Sequence, residues 1–276
     1  SSQFVGRERE LGALLQGFER AVTDRVPAVV LLTGPAGVGK SRIANEARAR
    51  IRAHAARPAL LVGSADDSDR SGAFGLLSAM LARHMGLSLF HGKPIRARRD
   101  ELLAHVQHEL PPEHSAFVAE LLGELLIGPS DRPSPLLSAA RSEARLMKDQ
   151  LTRALGLFLR EIVTRGPVLM VLEHLERADL ASVILLDRLL ATTKDAPFFV
   201  IASARPEVTE RFPRLFGEAA TTALTVPELP AAAARALARA LLGGHLDRVE
   251  RTLELSGHNP LFIEEIARSV QEGHDT

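Results

Sequence analysis

The chain has 276 residues, 46% hydrophobic and 25% charged, enough for one large domain or a core domain with a small lid. Its 34 Lys and Arg balance 34 Asp and Glu, so the formal net charge is +0 and no bulk attraction to nucleic acid or anionic membranes is expected. The absence of cysteine excludes disulfides and thiolate metal sites, and no apolar run reaches the ~18 residues of a membrane span.

The opening Ser1-Ser2-Gln3-Phe4 carries neither a signal pattern nor an initiator Met. The expectation is a cytoplasmic piece of a longer protein, working beside other domains of the same polypeptide. Leu11, Leu14, Leu15, Phe18, Ala21 and Val22 recur at helical spacing, which predicts a helix over 8–24. The continuous apolar run Ala28 to Thr33 has the pattern of a strand buried on both faces of a parallel sheet. A glycine-rich turn follows, then a helix from Lys40 to about Ala55 and a short strand from Ala59 to Gly63. Residues 73–127 are helical in pattern but irregular, and 128–135 read as a loop from their Gly, Pro and Ser content. Met147, Leu151, Ala154, Phe158 and Ile162 line one helical face. Val168 to Leu172 is a third strand, and 180–193 a helix that Asp179 can cap. Phe198 to Ser203 is a fourth strand, and Ala223 to Val226 a weaker fifth. Past Pro230 the pattern is purely helical over 231–242, 246–256 and 260–272.

Strands alternating with helices predict an α/β fold with a parallel sheet flanked by helices. The expected division is an α/β domain over 1–229 and a C-terminal helical lid over 230–276.

Gly34-Pro35-Ala36-Gly37-Val38-Gly39-Lys40-Ser41 matches G-x-x-x-x-G-K-[ST], the P-loop of nucleoside triphosphate-binding proteins. Its glycines permit backbone torsions that turn successive N–H groups inward as an anion nest, and the following helix adds its positive end. Lys40 is expected to reach the β- and γ-phosphates, and the Ser41 hydroxyl to ligate Mg2+. With Arg42 directly after it, the segment is expected to hold ATP or ADP. Val168 to Glu173 is a buried strand delivering an acid at its carboxyl end, the arrangement that completes a magnesium shell.

With these motifs in place, the sequence resembles the STAND branch of the AAA+ P-loop ATPases, and in particular the ATPase domain of large bacterial regulators fused to LuxR-type, cyclase or kinase domains. Phe4-Val5-Gly6-Arg7-Glu8-Arg9-Glu10-Leu11 is similar to the family's opening motif, whose backbone lies against the adenine, so the resemblance implies base contacts at Val5, Gly6 and Arg7. Ile201 to Glu207 looks like the sensor strand, implying a γ-phosphate role for Arg205. Ser256 to Glu265 looks like the lid motif, implying that Pro260 packs near the base. The preference for adenine over guanine comes from this resemblance alone.

One departure bears on mechanism. The family's strand usually ends acid-acid, then His-Trp-Ala-Asp; here it reads Glu173-His174-Leu175-Glu176-Arg177-Ala178-Asp179. His174 replaces the acid that polarises the attacking water, a function worth ~10²–10⁴-fold in rate. The predicted function is therefore an ATP-binding regulatory switch that hydrolyses slowly or not at all, with Lys40, Glu173, His174 and Arg205 as its reaction-side residues. Nucleotide-dependent self-association fits such a switch. Two readings stand beside it: an active AAA+ ATPase such as an Orc/Cdc6-like replication initiator, and a degenerate interaction module without nucleotide, against which the intact Gly39-Lys40-Ser41 argues.

Lesser signals read as surface. Glu101, His105 and His108 share a helical face but match no ligand motif. Lys93, Arg96, Arg98 and Arg99 have no interleaved aromatic for base stacking, so direct nucleic-acid contact is not expected.

Overall fold

A computed structural model describes residues 4–65, 73–86, 93–193, 195–217, 220–243 and 246–272. The opening Ser1-Ser2-Gln3 and residues 87–92 of the irregular helical stretch lie outside them. Five strands, β1 (Ala28–Thr33), β2 (Ala59–Ser64), β3 (Val168–Glu173), β4 (Phe198–Ala204) and β5 (Ala220–Thr225), form one parallel sheet in the order β2-β3-β4-β1-β5. The strand carrying the P-loop thus lies between β4 and β5, and every loop leaving a strand's carboxyl end emerges on the same side. Crevices at such ends are where open α/β sheets bind ligands.

The period-2 alternation of strand side chains sorts the core into two layers. Val30, Leu32, Val171, Phe199 and Ile201 face α1 (Glu8–Asp24) and α2 (Lys40–Arg52), packing on Leu14, Phe18, Ile43 and Ile51. Val29, Leu31, Met170, Leu172, Val200 and Ala202 face the opposite way. They are covered by a larger layer drawn from α3 (Gly75–His84), α4 (Ile95–Glu109), α5 (Pro112–Leu126), α6 (Pro135–Ser142), α7 (Ala144–Arg165) and α8 (Leu180–Thr192). Burial on both faces explains why β1, β3 and β4 read as unbroken apolar runs. After the short α9 (Val208–Arg211), α10 (Ala231–Leu242), α11 (Leu246–Ser256) and α12 (Pro260–Gln271) gather a third apolar cluster around Leu237, Val249 and Ile263.

Three elements differ from the sequence reading. Helix α2 ends at Arg52 rather than near Ala55, and the chain turns through Ala53 and His54. Part of the expected 128–135 loop starts a helix: Ser134 caps α6 by accepting from Leu137 N–H at 3.2 Å, and Pro135 takes the first turn that proline favours. Strand β5 begins at Ala220, three residues earlier than expected. It is an edge strand whose Thr221, Thr222 and Ala223 are exposed, so it lacks the apolar run that marks its neighbours. Among the described residues no helix is long and apolar enough to cross a membrane.

Candidate nucleotide site

Strand β1 stops at Thr33 and α2 starts at Lys40, leaving Gly34 to Gly39 as the turn. Gly37 (φ 82°) and Gly39 (φ 98°) adopt left-handed torsions that only glycine takes at little cost. Gly37 is also pinned by space: a Cβ there would lie 2.6 Å from Asn259 Oδ1. Lys40 Nζ folds over the turn and donates to the carbonyls of Gly34 and Pro35, each at 2.8 Å. Burial lowers the pKa of the Lys40 ammonium, an effect opposed by Glu176, deepened by Arg205 and opposed again by Glu207. The lysine therefore sits in a field shaped by residues following β3 and β4.

Those residues converge because β3 and β4 are in register, Leu172 opposite Ala202. Glu173 ends β3 with Oε1 buried and without a hydrogen-bond partner, a condition that normally costs about 1–3 kcal/mol. His174 turns the chain through a left-handed residue (φ 58°) into a single 3-10 turn, Leu175–Arg177. That turn swings Glu176 toward the end of β4. Glu176 Oε2 accepts from the backbone N–H of Arg205 at 3.1 Å, while Oε1 stands 3.6 Å from Arg205 Nε and 3.7 Å from His174 Nδ1. A cavity of about 280 Å³ opens between these groups, lined by Gly37, Gly39, Lys40, Ser41, Arg42, His174, Glu176, Arg205, Pro260, Leu261 and Glu264 among others. Glu173 is not among its lining residues.

A narrower apolar slot of about 40 Å³ lies alongside, walled by Phe4, Val5, Arg7, Val38, Gly39, Arg42, Ile43, Leu229, Leu237, Pro260 and Glu264. Gly39, Arg42, Pro260 and Glu264 border both spaces. Gly6 does not line the slot; it packs against α10, where an added Cβ would meet Ala233 Cβ at 2.4 Å. The guanidinium of Arg7 is buried and donates to the carbonyls of Val38 at 2.9 Å and Pro227 at 2.6 Å. It thereby ties the opening segment to the P-loop on one side and to the lid's approach on the other. Burial lowers its pKa, and Glu10 and Glu228 oppose the shift.

The lid touches the P-loop directly. Asn259 Nδ2 donates to Ala36 O at 2.9 Å, Asn259 Oδ1 caps α12 by accepting from Leu261 N–H at 3.1 Å, and Leu261 N–H also reaches Gly37 O at 3.3 Å.

A family profile described as "AAA ATPase domain" matches residues 3–201, most of the chain. The chain belongs to the AAA ATPase domain family. Membership implies nucleotide binding, typically with Mg2+. An uncharacterized protein of Rhizobium meliloti is 25% identical over 281 residues, covering 97% of this chain. The chain spans only 25% of that relative's length. Among solved structures, Aeropyrum pernix ORC1 in complex with DNA is similar, with a TM-score of 0.60 and 16% identity, covering 100% of this chain and 63% of that one. Aeropyrum pernix ORC2, solved as ADPNP-ADP complexes, has a TM-score of 0.48 and 11% identity, with 96% of this chain and 68% of that one covered. The ORC1 likeness shows a P-loop NTPase-like fold, built here on the five-stranded parallel sheet.

The residues present fit a magnesium nucleotide. The P-loop supplies the nest and Lys40 the cation, and the orphaned Glu173 Oε1 is an acceptor suited to a metal-bound water. Val5, Arg7, Val38, Arg42 and Pro260 meet at the slot, while Gly37, Lys40, Ser41, His174 and Arg205 meet at the larger cavity. Gly34, Pro35 and Ala36 form the rising limb of the turn, with Ala36 also bordering the larger cavity.

Glu176, Asn259 and Glu264 also border or bond this site, although sequence reading assigned none of them a role there. Asn259-Pro260 does carry a helix-start signal, an N-cap before proline. Glu176 carries none, since its position depends on the turn that His174 makes. The remaining surface signals have local partners: Lys93 pairs with Glu101 at 2.9 Å, and Arg99 with Glu124 at 3.3 Å. Among the described residues no group of three metal-ligating side chains is assembled.

Proposed function

We propose that this chain is the ATP-binding regulatory switch of a larger protein, made of an α/β domain over 1–229 and a lid over 230–276. The observation that carries this reading is the hydrogen bonding of Asn259 and Leu261 to the P-loop carbonyls of Ala36 and Gly37. A ligand in the P-loop lies against the same lid residues, so occupancy and lid position are coupled.

In this reading the base enters the slot between Val5, Arg7 and Pro260, and the phosphates occupy the cavity over Gly34 to Ser41. Lys40 neutralises the β- and γ-phosphates, and Arg205 reaches the γ-phosphate from the end of β4. Ser41, and Glu173 through a metal-bound water, would hold magnesium, which would neutralise charge on the phosphate oxygens. ATP engages Arg205 and favours one lid position; ADP lacks that contact. The shift can be no larger than the difference in affinity for the two lid states. His174 in place of an acid keeps turnover slow, which suits a switch that must persist. Its partners are other domains of the same cytoplasmic polypeptide, with self-association in the ATP state.

Hydrogen exchange at residues 257–265 tests the coupling. Protection is expected to differ between ATP and ADP states, and identical protection in both would contradict it. A second reading, a DNA-dependent ATPase of the replication-initiator kind, draws on the fold shared with a DNA-bound ORC1. DNA affinity that falls steeply with salt would favour that reading.

A further inference from the structure

We infer that Glu176, and not His174, is the group that orients and deprotonates the attacking water. The inference rests on the ATP-binding reading above.

The geometry separates the two acids of this segment by task. Glu173 ends the strand with its Oε1 buried and does not line the cavity beside Lys40; Glu176 does. The Glu176 side chain is only 11% exposed and is fixed through one oxygen, Oε2, by the Arg205 N–H at 3.1 Å. The other oxygen, Oε1, lies at ion-pair distance from Arg205 Nε at 3.6 Å and from His174 Nδ1 at 3.7 Å, too long for a direct hydrogen bond to either. Glu176 is also the acid that bears most on Lys40, the residue expected at the γ-phosphate. A carboxylate that lines the cavity, is hydrogen-bonded through one oxygen only among the described residues, and lies within the field of the phosphate-binding lysine has the attributes of a general base.

The segment compensates in part for the departure at His174. His174 occupies the position of the missing acid but takes the left-handed conformation that begins the 3-10 turn, and that turn brings the carboxylate two residues later into the cavity. In the step inferred, the water oxygen attacks the γ-phosphorus as its proton passes to Glu176. The bond from that phosphorus to the β–γ bridging oxygen breaks, with the electron pair staying on the oxygen of ADP. Glu176 then releases its proton to solvent or phosphate. Glu176 stands two residues beyond the position of the missing acid and is paired with Arg205, so it replaces that acid only in part and turnover stays slow.

The test compares wild type, Glu176→Gln and His174→Ala for ATP affinity and for single-turnover hydrolysis with Mg2+. Gln keeps an acceptor for the Arg205 N–H while losing the basic carboxylate, so thermal stability should be retained. The expected result for Glu176→Gln is a loss in hydrolysis rate of about 100-fold or more, with ATP affinity within about threefold of wild type. Partial recovery in Glu176→Asp would support a positioned carboxylate. An unchanged rate in Glu176→Gln, a loss confined to His174→Ala, or no single-turnover hydrolysis by wild type would overturn the inference while leaving ATP binding intact. Failure of wild type to bind ATP would instead overturn the reading on which it rests.

Discussion

The cavity at the carboxyl ends of β1, β3 and β4 and the helical layer of α3 to α7 occupy the same domain but are built from different interactions. The cavity is assembled from short polar segments, with Lys40 bonded to backbone carbonyls, Glu176 held by a backbone amide and Asn259 latched onto the P-loop. The helical layer is held by apolar packing of fully buried side chains such as Leu76, Leu122 and Phe158. In the layer a substitution removes buried area and shows as lost stability. In the cavity it removes a directed contact and shows as altered ligand response. The proposed site thus lies on loops carried by a rigid scaffold, a common arrangement.

The largest effect should come from the layer. Phe158 is 0% exposed, and Phe158→Ala is expected to cost about 3–5 kcal/mol in denaturant unfolding. The remaining folded fraction should bind ATP with unchanged affinity; a changed affinity would mean that the two regions are not separate.

Asp179 lies at their border and should give an intermediate effect. Its carboxylate caps α8 through Ser182 N–H at 2.8 Å and accepts from Phe74 N–H at 2.8 Å and Leu76 N–H at 3.3 Å at the start of α3. Asp179→Ala should cost about 2 kcal/mol. Burial raises the Asp179 pKa, but the bonds from Ser182, Phe74 and Leu76 outweigh it and hold the folded-state value below the ordinary 3.8. The folded state therefore binds this proton less readily than the unfolded chain. The stabilisation is full above the ordinary value and is lost as pH falls through the depressed folded-state value. The stability gap between wild type and Asp179→Ala should be constant near neutrality and shrink only below about pH 4. A gap that closes near pH 6 would contradict the assignment.

The smallest change in stability is expected in the lid. Asn259→Ala removes the bond to Ala36 and the cap of α12, at about 1 kcal/mol. The functional readout should be larger than that figure suggests, because the ratio of ATP to ADP affinity is expected to move toward one. An unchanged ratio would show that the latch does not sense the nucleotide.

The same contrast explains what the sequence made legible. The P-loop is contiguous, and its chemistry requires a strand, a glycine turn and a helix in that order, so its position followed from pattern alone. The C-terminal helices were marked by their helical pattern and by Pro230 and Pro260 at two of their starts. Helix α6 was hidden because Ser134-Pro135 signals a helix start in one context and a loop in another. Strand β5 was blurred because an edge strand needs no apolar run. The Arg7 staple and the place of Glu176 were not legible, since each depends on backbone groups far along the chain: Pro227 for Arg7, and the Arg205 amide for Glu176. Local pattern records which elements form, whereas long-range polar contacts appear only once the sheet order is known.

We propose that the P-loop of this chain binds ATP and turns it over slowly. This is tested most directly by measuring ATP affinity and steady-state hydrolysis in wild type beside Lys40→Ala. The account expects Mg2+-dependent ATP binding by wild type, turnover well below about 1 s⁻¹, and loss of both in Lys40→Ala with the fold retained. Turnover at or above about 1 s⁻¹ in wild type, or no ATP taken up by it, would contradict the account.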